Sequence, residues 1–216
     1  MHLYAFGSVC RGEIDRDSDI DLLALVSGHD NRLEQSKYSI YSYSKMKKMW
    51  FKGSPFAWHL ALESRLLFAS DDSDFLKSLG QPSSYVHFLS DCEKFYGVFL
   101  EARSSLTEST SSRVFDFSTI FLSVRNIATC FSLGVLGQPI FSRHAALRMP
   151  PDFKLPISER SYRILERSRI LCTRSVGSDI AEEEAGLVLS ECDNIDHWMT
   201  ELVKKAKSHE RIQQSS

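Results

Sequence analysis

The chain has 216 residues, of which 43% are hydrophobic, 25% charged and 11% aromatic. This is ordinary globular usage and excludes wholesale disorder, a collagen-like fibre and a coiled-coil rod. Lys and Arg number 26 against 28 Asp and Glu, a formal charge of −2, so a polyanion such as nucleic acid would need a local basic patch.

In chain order, residues 2–8 read as a strand and 20–26 (Ile-Asp-Leu-Leu-Ala-Leu-Val) as a second, mostly buried one. Residues 38–43 alternate Tyr and Ser around Ile40, a period-2 pattern that predicts a third strand. Ser54-Pro55 has the form of an N-cap followed by a first-turn proline, opening a helix over 56–63, and 65–69 supplies a last short strand. Strands and brief helices intermixed in this way predict a small α/β layer.

Past Ser70-Asp71-Asp72-Ser73, a polar hinge, helical periodicity takes over. Helices are expected over 84–105, 112–133, 141–149, 159–173 and 181–207, separated by Gly- and Pro-rich breakers. Phe115, Ile120, Leu122, Ile127 and Phe131 suit a central bundle helix. The expected fold is therefore an α/β (α+β) head with a small mixed sheet over 1–70, an all-α bundle over 71–208 and a polar tail over 209–216, with fraying expected from Lys204 onward. The apolar runs are short or interrupted by charge, so no membrane span is expected. The N-terminus lacks a basic region followed by a long apolar stretch, so no signal peptide is expected. Five scattered cysteines (Cys10, Cys92, Cys130, Cys172, Cys192) form no Cys-x-x-Cys pair and point to a reducing cytoplasm.

One segment carries chemistry: Phe6-Gly7-Ser8-Val9-Cys10-Arg11-Gly12, followed by Ser18-Asp19-Ile20-Asp21-Leu22. Gly7 ends a strand and, lacking Cβ, lets backbone approach a ligand. Ser8 and the next amides open a helix, whose N-terminus favours phosphate. Period 2 sets Asp19 and Asp21 on one face of the strand and turns Ile20 into the core. Two adjacent carboxylates repel, a divalent cation removes the conflict, and hard oxygen ligands favour Mg²⁺ or Mn²⁺. A phosphate cradle beside paired carboxylates suits nucleotidyl or phosphoryl transfer.

This stretch resembles the DNA polymerase beta-like nucleotidyltransferase superfamily, and within it the minimal nucleotidyltransferase branch. Gly-Ser, the spacer of about ten residues and Asp-x-Asp carry the likeness, joined by Lys52-Gly53-Ser54-Pro55-Phe56 and Glu63. It covers residues 3–69. The resemblance implies that Gly7, Ser8, Arg11 and Ser18 hold the phosphates of a nucleoside triphosphate, most simply ATP. It implies that Asp19 and Asp21 hold Mg²⁺ (or Mn²⁺) while an acceptor hydroxyl attacks the α-phosphate and pyrophosphate leaves. The acceptor stays open between a small molecule, a protein side chain and RNA, with RNA not favoured by the acidic balance. The bundle resembles that of aminoglycoside-modifying relatives or a HEPN domain and offers a route to a homodimer.

Two departures set alternatives beside that reading. Active members carry a third carboxylate on the next strand, whereas residues 38–43 offer only Ser, Tyr and Ile. The alternative is a catalytically impaired nucleotide- or partner-binding module, as in toxin–antitoxin-like or defence systems. In the bundle, Arg125 is followed by Cys130 where HEPN ribonucleases place a His, so nuclease chemistry lacks its neutral-pH titrating group. Arg125 is read as an acceptor-pocket residue or a partner for Asp116, and Arg143-His144 as a surface basic pair. His59 is read as a packed or rim residue. Arg160, Arg163 and Arg167 share a helix face, either as an RNA patch or as a solvated stripe balanced by acids at 182–184.

Overall fold

The structure, a computed structural model, describes residues 1–13, 20–28, 30–108 and 111–215. The chain divides into two compact units, Met1–Val86 and His87–Ser216.

The first unit is built on a four-stranded mixed sheet of order β3-β2-β1-β4. Its strands are β1 (His2–Phe6), β2 (Asp21–Val26), β3 (Tyr38–Ser42) and β4 (Arg65–Ala69). β1 runs antiparallel to both β2 and β4, and β3 lies parallel to β2. Tyr4 and Phe6, opposite Leu23 and Asp21 in register, belong to one sheet face. Tyr4, Phe6, Leu23 and Leu25 pack there with Met46 and Trp50 of α2 (Tyr43–Phe51) and Ala57 and Leu60 of α3 (Pro55–Glu63). Both helices start at serine caps: Ser42 Oγ accepts the Lys45 amide at 3.1 Å and Ser54 Oγ accepts that of Ala57 at 3.2 Å. Between them Gly53 takes φ 61, and a Cβ there would strike the Ser83 and Ser84 carbonyls.

Two sequence expectations change in the head. Ile20 is 62% exposed instead of facing the core, because the β1–β2 ladder stops at the Phe6–Asp21 pair and leaves residue 20 outside it. The polar stretch after residue 70 is tied to β1. The buried His2 ring bonds Tyr43 Oη at 2.7 Å and Ser73 O at 3.1 Å, and the Tyr4 hydroxyl donates to Asp74 Oδ1 at 2.9 Å. Asp74 in turn caps α4 (Phe75–Ser78), which places Leu76 in the head's core.

The second unit is all-helical: α5 (Phe88–Glu108), α6 (Arg113–Gly134), α7 (Ala145–Arg148), a 3₁₀ turn at Pro151–Phe153, α8 (Glu159–Arg174), α9 (Glu182–Ser190) and α10 (Cys192–Gln214). α6 is central, packing on α5 and α8 and burying Phe117, Ile120, Val124, Ile127 and Phe131. Phe115 is 62% exposed, since two helical residues turn it about 200° from Phe117. By length and composition alone α6 could cross a membrane, and most of it is buried inside the bundle. The expected helix over 181–207 breaks at Glu191, and α10 continues through Gln214 instead of fraying. Ala206 is buried and His209 packs on Phe88 with ring centroids 5.6 Å apart, which holds the segment.

Candidate active site

β1 delivers the chain to Gly7, which takes φ 78 and ψ −144, a conformation close to the region that only glycine occupies cheaply. The chain then turns into α1 (Ser8–Arg11), with Gly7 O accepting the Cys10 and Arg11 amides at 3.1 and 3.3 Å. Across the sheet, Asp21 is the rung opposite Phe6. A Cβ built on Gly7 would collide with Oδ2 of Asp21. The sequence reading ascribed the glycine to a ligand's close approach. In the structure the space is occupied by the carboxylate of the second strand, so bend and acid converge on one point.

Arg11 ends α1 inside a brace of acids. Its Nε donates to Glu13 Oε2 at 2.8 Å, and its Nη1 donates to Glu63 Oε2 at the end of α3. Glu63 also faces His59 Nε2 at 2.9 Å, one helical turn earlier. His59 packs edge-on against Phe6, with ring centroids 5.6 Å apart, as a packed rim residue does. Burial works to raise the Glu63 carboxyl, but His59 and Arg11 overcome it and hold the group below the ordinary carboxylate value. Burial likewise works against the Arg11 charge, and Glu13 and Glu63 outweigh it. Glu13 and Glu63 thus hold the guanidinium through its Nε and Nη1.

On its β3 side, Asp21 borders a cavity of about 430 Å³ with Ile20, Gln35, Lys37, Tyr38 and Ser39. Among the described residues its lining is polar and carries the Lys37 ammonium beside Asp21. A larger cavity, about 480 Å³ and floored by Tyr4 and Trp50, lies beside β4. Its buried polar groups are already spent internally, Tyr4 on Asp74 and Trp50 Nε1 on Gly80 O at 3.0 Å.

Of the residues expected in the site, Gly7, Ser8, Arg11 and Asp21 lie at this end of β1, α1 and β2. Ser18, Asp19 and the loop at 15–17 lie outside the described residues. Among the described residues no group of three or more His, Cys, Asp or Glu could hold a metal. The acid brace on Arg11 was missed by sequence reasoning. The available signal was the i, i+4 spacing of His59 and Glu63 on a helix that follows Ser54-Pro55.

The bundle's polar groups are largely structural. Asp116 is buried and accepts from Ser105 and Ser112 at 3.0 and 2.7 Å, not from Arg125. Arg143 and His144 both turn toward Glu166 at 3.4 Å, and the Tyr162 hydroxyl donates to Arg143 O at 2.6 Å, so the pair is bound into the bundle. The arginine stripe on α8 is matched by acids: Arg160 meets Glu183, Arg163 meets Glu159 and Arg167 meets Glu184.

Residues 2–94 match the nucleotidyltransferase domain family. An all-helical region follows the matched residues. No curated protein and no solved structure matches the chain.

Proposed function

We propose that the head transfers a nucleotidyl group, most simply AMP from ATP, to an acceptor hydroxyl with the help of Mg²⁺. The observation that carries this reading is the convergence of the Gly7 bend and the Asp21 carboxylate within a domain of the nucleotidyltransferase family. In the overall exchange an acceptor oxygen bonds to the α-phosphorus, the α–β bridging bond breaks and pyrophosphate departs.

Asp21 fits the hard-oxygen donor set that Mg²⁺ prefers, and Asp19 is the residue proposed to complete it. When bound, Mg²⁺ neutralises phosphate charge and polarises the reacting oxygens. The chain's own groups do the rest. Gly7 leaves room at the bend for the Asp21 carboxylate, and the Ser8 hydroxyl at the start of α1 and the Arg11 guanidinium donate hydrogen bonds to phosphate oxygens. Ser18 is assigned the same task. Glu13 and Glu63 fix the guanidinium before the nucleotide arrives, which lowers the ordering cost of binding. Mixing the protein with ATP, Mg²⁺ and a panel of hydroxyl acceptors, and measuring pyrophosphate release for wild type and Asp21→Asn, tests this reading. Release that is equal in both proteins removes it.

One observation favours a second reading, a module that binds nucleotide or a partner without turnover. β3, the strand beside β2, carries Tyr38, Ser39, Ile40, Tyr41 and Ser42, and none can take the acceptor's proton as a carboxylate does. That reading expects ATP binding with no pyrophosphate release for any acceptor.

A further inference from the structure

The outer face of α2 gathers positive charge around a bare aromatic ring. The chain as a whole carries −2, yet residues 43–52 hold four lysines (Lys45, Lys47, Lys48 and Lys52) and no acid. All four are exposed, and Phe51 among them is 83% exposed. With about 100° between successive helical residues, Lys48 and Phe51 lie across the helix from Met46 and Trp50, which α2 buries in the head's core. Phe51 is one helical turn from both Lys47 and Lys48, and Lys45, Lys48 and Lys52 form a row at i, i+3 and i+7. Among the described residues no carboxylate pairs with these lysines, and Lys47 alone has a side-chain partner, its Nζ lying 5.8 Å from the Phe75 ring centroid.

We infer that this face of α2 binds single-stranded nucleic acid, with the lysines on its phosphates and Phe51 stacked on an unpaired base. Charge selects a polyanion, because four unneutralised ammonium groups within ten residues make the local basic patch that the chain's overall balance does not supply. Phe51 selects the kind of polyanion. An exposed ring among cations is a stacking platform, and base faces are open to it only in an unpaired strand. A duplex would meet the lysines through its phosphates and leave the ring idle. A bilayer surface is gripped by a helix that inserts its apolar side, and the apolar side of α2 is already buried with Met46 and Trp50. The arginine stripe on α8 differs in that Arg160, Arg163 and Arg167 each meet an acid. None of the residues assigned to the triphosphate site lies on α2, so the two readings are independent.

Fluorescence anisotropy of a labelled single strand of about 12 nucleotides, titrated with the full chain in chelator and without ATP, tests the inference. RNA and DNA of one sequence, the matching duplex, phosphatidylserine vesicles and polyglutamate are the competitors, and circular dichroism confirms that each variant folds. Wild type is expected to bind a single strand, of RNA or DNA, with an affinity that falls with salt at a log–log slope of about −2, the value for three phosphate contacts. Phe51→Ala, at an exposed position, is expected to weaken binding about tenfold and keep that slope. The triple variant Lys45→Gln/Lys48→Gln/Lys52→Gln is expected to flatten the slope toward zero. Arg160→Gln/Arg163→Gln on α8 is expected to change neither. No binding at low salt, unchanged binding by Phe51→Ala, or competition by duplex, vesicles or polyglutamate equal to that of the single strand overturns the inference. These outcomes are read without metal or triphosphate, so their failure leaves the transfer reading untouched, and failure of that reading leaves them unchanged.

Discussion

The carboxylate of Asp21 lies where a side chain at residue 7 would begin. Residue 7 is the first after β1 and residue 21 the first of β2, so the last rung of one ladder brings a glycine bend against an acid from far along the chain. The identity of residue 7 is therefore set twice, by its positive φ and by the oxygen that occupies its Cβ position.

Gly7→Ala tests that double constraint. The backbone strain alone costs about 1–3 kcal/mol, and the new methyl must also push Asp21 away. Chemical denaturation is expected to show at least that loss, together with weaker Mg²⁺-ATP binding. Full stability with unchanged binding would mean that the bend and the carboxylate are not coupled.

Asp21→Asn keeps the shape and removes the charge. Because Asp21 is exposed, its melting temperature is expected to stay close to wild type, while the transfer rate falls by about 10²–10³-fold, the scale of losing one preorganised electrostatic group. A large stability loss without a specific rate loss would place Asp21 among structural residues instead.

Glu63→Gln separates charge from shape in the Arg11 brace. The folded Glu63 carboxyl sits below its ordinary value of 4.5, so the stability it contributes is complete above that value and fades as pH falls through the depressed one. Thermal unfolding should show a gap between wild type and variant at neutral pH that closes in acid. Loosening Arg11 should also raise the Kd for ATP more than it lowers kcat. A gap that persists in acid contradicts the charged pairing.

Two bundle variants probe the scaffold. Asp116→Ala removes the carboxylate that accepts from the Ser105 and Ser112 hydroxyls and is expected to cost about 1–3 kcal/mol. Gly134→Ala places a methyl against the Phe88 side chain, an overpacking expected to cost about 1–3 kcal/mol. Denaturant midpoints measure both, and neither should change nucleotide affinity.

Much of the head is legible in the sequence because its signals are local. Alternating Tyr and Ser marks β3, Ser54-Pro55 marks the start of α3, and Gly7-Ser8 marks the strand-to-helix bend. The bundle's central helix is legible from its apolar spacing, with Phe115 misread because composition outweighed helical phase. What escapes is set by long-range contact. No local pattern says that Glu63 clasps Arg11, that Asp21 fills the Gly7 Cβ position, or that the acid-rich turn after β4 binds His2. The end of α10 was read as a frayed tail because its residues are polar, yet Ala206 and His209 give it a packed face.

The most direct test of the central claim is calorimetric titration of ATP into wild type and Asp21→Asn, each with Mg²⁺ and with a chelator. The expected result is tight binding by wild type that requires Mg²⁺, and weak binding by the variant that Mg²⁺ does not improve. Equal Mg²⁺ dependence in the two proteins would contradict the assignment of Asp21 and the Gly7 bend to one triphosphate site.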